Sequence, residues 1–592
     1  MHILGFHAGK HDSGACLFED QTLLAFIKEE RLNRIKNAGG QFELAAVDEV
    51  CSIAGIDRKK IDVVVFSHGI FPKKCNKLIN HSPLSYYLNC KGFFRNFRHS
   101  LSGRDRLFRS FSLYRKNLQL QINDIVDEPV LKAAMGLRPD CRIEYIGHHF
   151  SHIAAAVKYT DWQEKALYIS ADGGGDGAFY SAYYLNDGKL ECLLGTLEST
   201  RFVPQNSGAS MGLAYARITE LAGFRKNRHE GKITGLAAFG KPVAAEKIAA
   251  HFFINQEGCV DSEFKNEKAL YAYLNDLYKT MSREDAAASI QGALEKVIID
   301  WITFLRKGRD VKYIALSGGV FANVLLNQKI SELPGIQGVF VVPPMGDEGL
   351  PLGNVAAYLL KKEGISGLKR ELLRTVYYGR EYTGAQLIEE AERQGFAIRH
   401  FHDVASATAE LLAQHKIGAL FSARMEMGPR ALGARSILAN PDKRGINDSL
   451  NRRLERTEFM PFAPYVLDCD AEQVFFISQS QRLPCRYMTI TVNTRKDFAD
   501  KIQAVVHVDG TARPQIIERC DNPLYYDILR KFRDLTGIPC LVNTSFNAHE
   551  EPIINKPEEA LRALAHDRID FLICDEGLMA KDVNIFKRLE QH

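Results

Sequence analysis

The sequence predicts an α/β protein whose N-terminal part is built from two related halves. The evidence is a short apolar strand followed by a glycine-rich turn, a unit that occurs at residues 3–14, 166–177 and 312–319. Strand-sized apolar runs that alternate with helical segments are typical of α/β sheets. Glycines in the turns let the backbone approach a ligand closely. The repetition therefore predicts a ligand cleft between two similar subdomains.

Such a duplicated ribonuclease-H-like architecture is the pattern of the actin, Hsp70 and sugar-kinase superfamily, although glycine turns between strands also occur elsewhere. A charged connector at 361–374 predicts a boundary near 365–375. Beyond it the sequence indicates a second α/β domain, with strands at 395–401, 417–421, 486–492 and 540–542 and helices at 405–415 and 524–535. We predict domains at 1–365 and 375–592.

The composition of the 592-residue chain excludes several classes of protein. Hydrophobic residues make up 46% and charged residues 25%, as in folded globular chains, which argues against disorder and fibres. The longest apolar runs are strand-sized, far below the roughly 20 residues of a membrane span. The first residues contain no charged-then-apolar leader, and the 12 cysteines form no CxxC pair. We expect a cytoplasmic protein with reduced thiols and no membrane contact.

A net charge of +4 argues against nucleic acid as a partner, but the charge is unevenly spread. Residues 73–116 contain eleven basic side chains and the single acid Asp105, with aromatic residues between them. This stretch, extended to about residue 120, is predicted to be a helical basic insertion. A solvated surface, part of an acceptor site and a polyanion-binding surface all fit it.

Two histidines and two aspartates predict a metal site. His148 and His152 are four residues apart in a helical segment, so both imidazoles lie on one face. Asp172 begins the glycine turn after the next strand, and Asp347 follows the predicted strand at 339–342. Such a mixed set favours iron, manganese or zinc, although the histidine pair alone is also common in structural roles.

Glycine and arginine residues predict anion sites in both domains. Turns at 172–177, with Gly174 and Gly175, and at 316–319, with Gly318 and Gly319, offer backbone amides to a phosphate. Arginines beside glycine and proline at 424–436 are better oxyanion ligands than helix-surface residues. Buried structural salt bridges are the alternative for these arginines.

Two further segments near the N-terminus carry charged or titratable residues. His11, in the first turn, suits a general base, or a turn histidine bonded to its own loop. Residues 29–36, by themselves, are typical of a solvated helix face that ends at Lys36.

Together these motifs resemble the NodU/CmcH carbamoyltransferase family along nearly the whole chain. The collinear motifs are GFHAGKHDSGA, EERLNRIK, HHFSHIAAA, DGGGDG, HEGKITGLAAFG, LSGGVFANVLLN, GDEGLPLGNVAAY, RMEMGPRALGARSIL, MPFAP, DGTARPQ and NTSFN. The resemblance implies an N-terminal ASKHA domain (actin/Hsp70-like) similar to TsaD and a C-terminal domain similar to YrdC. It also implies that carbamoyl phosphate and ATP, with Mg, form carbamoyl-adenylate in the C-terminal domain. The carbamoyl group then passes to a hydroxyl or amine of a small-molecule natural product, such as an antibiotic, in the N-terminal domain.

The resemblance also implies roles for individual residues. His11 matches the catalytic histidine. His148, His152, Asp172 and Asp347 match a metal site, expected to hold iron(II). The adenylate-binding positions of the N-terminal domain are Lys36, Gly174, Gly175, Glu230, Gly318, Gly319 and Asn323. The carbamoyl phosphate and ATP site of the C-terminal domain comprises Arg424, Arg430, Arg435, Arg456, Arg513, Asn543 and Ser545.

The chain departs from the family pattern at two places. A lysine that many relatives carry before the position of Arg456 is absent, and Arg453 or Arg452 is the candidate substitute. The segment after Asn547 also lacks the usual glycine before Glu551-Pro552. That turn is expected to be built differently.

Two other functions remain open at this point. The same domain types act as separate proteins in tRNA threonylcarbamoyl transfer, which would give the basic insertion a partner. A non-catalytic ASKHA nucleotide-binding protein is the other alternative, and it would require degenerate metal and histidine positions, whereas these are intact. A homodimer is possible, but the sequence does not indicate the oligomeric state.

Overall fold

The computed structural model describes residues 1–69, 71–75, 126–176, 178–195, 209–456, 459–587 and 589. Most of the predicted basic insertion, residues 76–120, lies outside the described residues. Among the helices that are described, none combines the length and apolar character of a membrane span.

The N-terminal half contains two five-stranded sheets with the same strand order. The first sheet has the order β3-β2-β1-β4-β5 and the second β8-β7-β6-β11-β12. In each sheet, the first three strands along the chain form an antiparallel meander. The fourth strand pairs parallel with the first, and the fifth pairs parallel with the fourth. The first sheet consists of β1 (His2–Ala8), β2 (Gly14–Glu19), β3 (Thr22–Lys28), β4 (Val63–Gly69) and β5 (Arg142–Tyr145). The second consists of β6 (Ala166–Gly175), β7 (Ala178–Asn186), β8 (Lys189–Leu194), β11 (Tyr313–Ser317) and β12 (Gly338–Val341). This repeated order confirms the predicted duplicated ribonuclease-H-like fold.

Helices complete this half. They are α1 (Glu30–Asn33), α2 (Ala45–Ile53), α3 (Glu128–Met135), α4 (His148–Lys158), α5 (Met211–Leu221), α6 (Glu230–Leu236), α7 (Ala245–Ala249), α8 (Glu267–Tyr278), α9 (Arg283–Arg306), α10 (Val324–Ser331) and α11 (Leu350–Gly367), with a small β9 (Phe252–Ile254) and β10 (Val260–Ser262) hairpin. Helices α4 and α11 share one apolar core with strands of both sheets. Gly353 permits their close approach, because a Cβ there would lie 2.1 Å from the Ser151 carbonyl oxygen. The helix that carries His148 and His152 is therefore fixed at the centre of this half.

The C-terminal half is built on an eight-stranded mixed sheet of order β14-β25-β24-β15-β17-β23-β18-β22. Its strands are β14 (Ala397–Arg399), β15 (Gly418–Phe421), β17 (Arg435–Ala439), β18 (Ala463–Leu467), β22 (Gln515–Ile517), β23 (Cys540–Ser545), β24 (Phe571–Cys574) and β25 (Gly577–Ala580). Smaller strands are β13 (Tyr377–Glu381), β16 (Arg424–Glu426), β19 (Phe475–Phe476), β20 (Val492–Thr494) and β21 (Thr511–Ala512). Helices are α12 (Gly384–Arg393), α13 (Val404–Ala413), α14 (Gly445–Arg453), α15 (Ala471–Val474), α16 (Gln479–Cys485), α17 (Lys496–Ala499), α18 (Pro523–Thr536) and α19 (Pro557–Ala565). Separate apolar cores cover its two faces. The predicted separate α/β unit is confirmed, and its bounds of 375–592 stay a prediction.

Two predicted elements are wrong, and in both cases contacts between the halves explain the difference. The segment 29–36 is no solvated helix, because α1 ends at Asn33 and Arg34 has a left-handed φ of 60°. Glu29, Glu30 and Arg31 are buried, and Arg34 donates to the Pro552 and Ile553 carbonyls of the C-terminal half at 2.8 Å. The predicted strand at 486–492 is a loop up to β20, where Thr491 donates its N–H and hydroxyl to the Val324 carbonyl of the N-terminal half.

Candidate functional site

Four side chains from three elements meet between the two sheets. His148 and His152 lie on α4, Asp172 on β6, and Asp347 in the turn after β12. One ligand atom from each lies within 4.8 Å of all the others. Asp347 Oδ1 is 3.6 Å from His148 Nε2 and 3.7 Å from His152 Nε2. Atoms that share one ion at about 2.1 Å are separated by roughly 3 to 4 Å, so the set fits a divalent cation.

The surroundings orient these ligands. His152 Nδ1 lies 3.2 Å from Ser317 Oγ, while the buried His152 Nε2 has no hydrogen-bond partner among the described residues. A second polar contact that fixes a ligating imidazole is typical of metal sites. Burial lowers the pKa of His148, which keeps its ring neutral as ligation requires. His149 is not one of the four ligands, because both of its ring nitrogens already contact other groups, Ser170 Oγ and the Ala178 carbonyl.

The predicted glycine turns lie against this cluster. The Gly319 N–H donates to Asp172 Oδ2 at 2.6 Å and the Gly174 N–H to Asp172 Oδ1 at 3.3 Å. A Cβ on Gly175 would lie 2.2 Å from the His148 ring. Gly318 has a φ of +101°, and a Cβ at this position would lie 2.2 Å from the Ala171 carbonyl oxygen. In this structure two of the amides expected to cradle a phosphate hold a carboxylate of the metal cluster instead.

His11 lies in the turn between β1 and β2, beside the metal cluster. Its Nδ1 is 3.0 Å from Asp12 Oδ2, and Asp12 also accepts from Asn37 at 3.0 Å and pairs with the buried Lys28 at 3.0 Å. Burial by itself lowers the pKa of His11, because it disfavours the charged imidazole. Asp12 and the neighbouring Asp347 nevertheless raise the pKa of His11 to about 9. Asp12 thus fixes the ring through Nδ1 and leaves Nε2 for proton transfer.

A cavity of about 340 Å³ lies between the N- and C-terminal halves. On the N-terminal side it is lined by α6, by the start of α10 and by Lys36, whose pKa is lowered by burial. The predicted residues that line its C-terminal side are Arg430, Arg456, Arg513, Asn543 and Ser545. Residues that the sequence assigns to two separate sites therefore border one space.

The arginines on the C-terminal side differ in their contacts. Arg513 is half-buried and makes no ion pair within the part of the chain that the structure describes. Burial and the adjacent Arg430 lower its pKa to about 9, which leaves it charged at pH 7. A cation that is partly removed from water and has no carboxylate partner is disfavoured unless an anion binds it. Arg456 instead braces the loop after β23, with donors 2.7 Å from the Ser545 carbonyl and from Asn547 Oδ1.

Several predicted ligands do not line the cavity. Arg424 donates to the Gly379, Tyr378 and Leu24 carbonyls and so ties the halves together. Arg435 is fully buried, donates to the Ser422 carbonyl and lies 3.8 Å from the centre of the Phe421 ring.

Three other residues predicted to bind nucleotide or phosphate are held by contacts within the protein. The Asn323 side chain caps α10 and bonds to Gln291, and Glu230 accepts from the Asn227 N–H at 2.6 Å. The candidate substitute Arg453 pairs with Asp570 at 2.8 Å, away from the cavity.

Sequence reasoning missed a buried charged chain that leads from His11 to the cavity. Lys28 lies between Asp12 and Glu30, and Arg31 follows, 3.3 Å from Glu30. Arg31 reaches across the halves to donate to the Gly428 carbonyl at 2.9 Å. The density of charge in this segment was visible in the sequence, but the same density is typical of exposed helices.

Comparison with known proteins identifies the family. A family model described as carbamoyltransferase N-terminus matches residues 2–357, and one described as carbamoyltransferase C-terminus matches residues 409–581. An uncharacterized protein of Methanocaldococcus jannaschii, MJ1058, is 30% identical over 98% of this chain and 99% of its own length. Nodulation protein NolNO of Sinorhizobium fredii is 29% identical over 96% of this chain and 79% of its own. Nodulation protein U of Rhizobium tropici is 30% identical over 50% of this chain and 49% of its own.

Solved structures give weaker likenesses. Component A of the (R)-2-hydroxyglutaryl-CoA dehydratase of Acidaminococcus fermentans has a TM-score of 0.33 and 13% identity, over 61% of this chain and 98% of that chain. HypF of T. kodakarensis has a TM-score of 0.30 and 13% identity, over 62% and 49%. Because these scores are low, the fold assignment depends on the strand order described above. The two family models, which together span most of the sequence, show that this chain belongs to the carbamoyltransferase family and is a carbamoyltransferase.

Proposed function

We propose that this enzyme couples two half-reactions across its central cavity, with carbamoyl phosphate and ATP as substrates and carbamoyl-adenylate as the intermediate. The observation that carries the proposal is one cavity, bordered on the C-terminal side by Arg430 and Arg513 and on the N-terminal side by α6 and by residues 30, 31 and 36. The buried charged chain described above connects this N-terminal wall to His11. We infer that an intermediate formed on one side of this space passes through it to the other side.

The C-terminal half suits the first half-reaction. Water cleaves carbamoyl phosphate to carbamate and phosphate. A carbamate oxygen then attacks the α-phosphorus of ATP, which forms carbamoyl-adenylate and releases pyrophosphate. Arg430 and Arg513 would hold the phosphoryl oxygens and stabilise the charge that develops on them. Asn543 and Ser545, on the neighbouring strand β23, would orient the same group.

The N-terminal half suits transfer to an acceptor hydroxyl or amine of a small molecule, with AMP as the leaving group. His148, His152, Asp172 and Asp347 would hold the divalent cation, proposed to be iron(II), which when bound polarises the carbonyl or holds phosphate oxygens. His11 Nε2 takes the acceptor proton, with Asp12 holding Nδ1. Charge on Asp347 and Asp172 contributes to the raised pKa of His11, and cation binding would oppose it.

The test follows pyrophosphate during incubation with ATP and carbamoyl phosphate, without tRNA or threonine. We expect release that depends on both substrates. Release that requires tRNA and threonine would instead identify a threonylcarbamoyl transferase, and no release under either condition would refute adenylate formation.

A His11→Ala variant separates the half-reactions. We expect pyrophosphate release to continue and transfer of labelled carbamoyl group to an acceptor to stop, because His11 lies outside the arginine cluster. Loss of pyrophosphate release in a folded His11→Ala variant would place His11 in the first half-reaction.

A further inference from the structure

One carboxylate of the C-terminal half is held by three cationic or titratable side chains of the N-terminal half. Glu550 Oε1 lies 2.7 Å from His229 Nε2, and Glu550 Oε2 lies 2.8 Å from Arg225 Nη1 and 3.1 Å from Arg228 Nη1. Arg228 also donates to the Lys36 carbonyl at 2.6 Å. Glu550, Arg228, His229 and Lys36 all line the central cavity. The contact therefore forms part of the wall of the cavity.

The backbone at Glu550 makes this contact unusual. Its φ of 60° lies in the left-handed region, which favours glycine. The chain therefore carries a side chain where the turn itself favours none. The ion pairs, rather than the turn geometry, account for the residue at this position.

The partners of Glu550 lie at the start of an element that borders the cavity. Arg225 to His229 precede α6, and the turn is closed by the Asn227 N–H, which donates to Glu230 at 2.6 Å. Gly231, Lys232, Thr234 and Gly235 of α6 line the cavity. Fixing this turn therefore fixes the N-terminal wall of the space between the two proposed sites.

We propose that Glu550 is a positioning residue of this particular chain, which locks the 225–229 turn against the C-terminal half and keeps the cavity wall closed during turnover. The closure rests on the proposed function in one respect, because carbamoyl-adenylate is the species that a closed wall retains. Glu550 contacts the wall and takes no part in bond making or breaking.

Hydrogen exchange of the full-length protein tests the lock independently of any activity. In Glu550→Gly, which gives the turn its favoured residue, we expect amides of 225–236 to exchange at least tenfold faster, with a melting temperature close to that of the wild type. Glu550→Gln, which keeps the backbone strain but removes the charge, should show the same increase. Exchange at the wild-type rate in both variants would overturn the proposal.

Asp567→Gly is the matched control. Asp567 is also an acid with a left-handed φ, of 57°, and it pairs with Lys581 at 2.8 Å, but both belong to the C-terminal half and neither lines the cavity. We expect exchange of 225–236 in this variant to stay within twofold of the wild type. A tenfold increase there as well would show that the effect is general loosening, which would also overturn the proposal.

Turnover without acceptor tests the closure. Wild-type enzyme should release about one pyrophosphate per active site rapidly and then turn over slowly, because the intermediate is retained. In Glu550→Gly we expect the slow rate to rise at least fivefold, with the KM for carbamoyl phosphate within twofold. An unchanged slow rate despite faster exchange would overturn closure during turnover. Absence of pyrophosphate in the wild type would refute the proposed function, while the exchange experiment still decides the lock.

Discussion

Gly175→Ala should remove His148 from the metal cluster. The added Cβ would lie 2.2 Å from the His148 ring carbons Cγ and Cδ2, whereas carbon atoms pack without repulsion at about 3.5 Å. The ring must therefore retreat by about 1.3 Å, and metal-ligand distances tolerate only about 0.2 Å. Displacing a supporting outer-shell group already costs roughly 10- to 100-fold in metal affinity. We expect Gly175→Ala to bind Fe(II), Mn(II) or Zn(II) at least roughly 100-fold more weakly than the wild type.

The assay is anaerobic titration of metal-free protein with each ion, together with metal content after desalting. Gly173→Ala is the matched control, because a Cβ two residues earlier would meet nothing within 4 Å. We expect that variant to bind metal as the wild type does and to melt near the metal-free wild type. Gly175→Ala should melt at a lower temperature than the metal-free wild type, because the added methyl group overpacks the buried His148 ring. Wild-type metal affinity in Gly175→Ala would refute the assignment of His148 as a ligand.

Three further predictions concern the C-terminal half. Arg513→Ala should lower pyrophosphate release at least roughly 100-fold without lowering the melting temperature, because it removes a phosphate ligand and also a half-buried charge that has no carboxylate partner. Pyrophosphate release at the wild-type rate would contradict this prediction. Arg456→Ala should lower the free energy of unfolding, measured in urea, by about 3 kcal/mol, because several acceptors in the loop after β23 lose their donor. A loss below about 1 kcal/mol would show that water replaces the guanidinium. Burial raises the pKa of Asp403, but hydrogen bonds from Ser406 and Lys531 lower it to about 2, below the ordinary value of 3.8. This carboxylate therefore stabilises the fold above pH 4, and the stabilisation is lost as the pH falls towards 2. The difference in melting temperature between the wild type and Asp403→Asn should narrow over that pH range. A constant difference would contradict the lowered pKa of Asp403.

Much of the fold and part of the site were predictable because their signals are local. Strand-sized apolar runs with glycine turns repeat along the chain, and the structure shows the repeat as two sheets of equal order. His148 and His152 are one helical turn apart, so their shared face follows from helix geometry alone. The motif order indicated the family without any structural information.

The roles of individual arginines were not predictable in the same way. Arg424, Arg430 and Arg435 lie within twelve residues of one another in a single glycine-rich motif, yet only Arg430 lines the cavity. Arg424 is on β16, where it bonds carbonyls of both halves, and Arg435 begins β17 inside the sheet. A one-residue change in the path of a strand turns a side chain to its other face, and spacing in the sequence does not record that path.

The sequence by itself determined the class of fold, the family and the chemical character of the sites, because these depend on periodicity and on residue types in order. Only the tertiary structure decided which charges meet. The segment 29–36 is typical of a solvated helix when taken alone. In the structure its first three residues are buried, Glu30 and Arg31 join Lys28 in a chain of ion pairs, and Arg31 bonds to the C-terminal half. Glu550 likewise acquires its partners from residues more than 300 positions away. Electrostatic interactions depend on distance and burial, and both are set by how the two halves fold against each other.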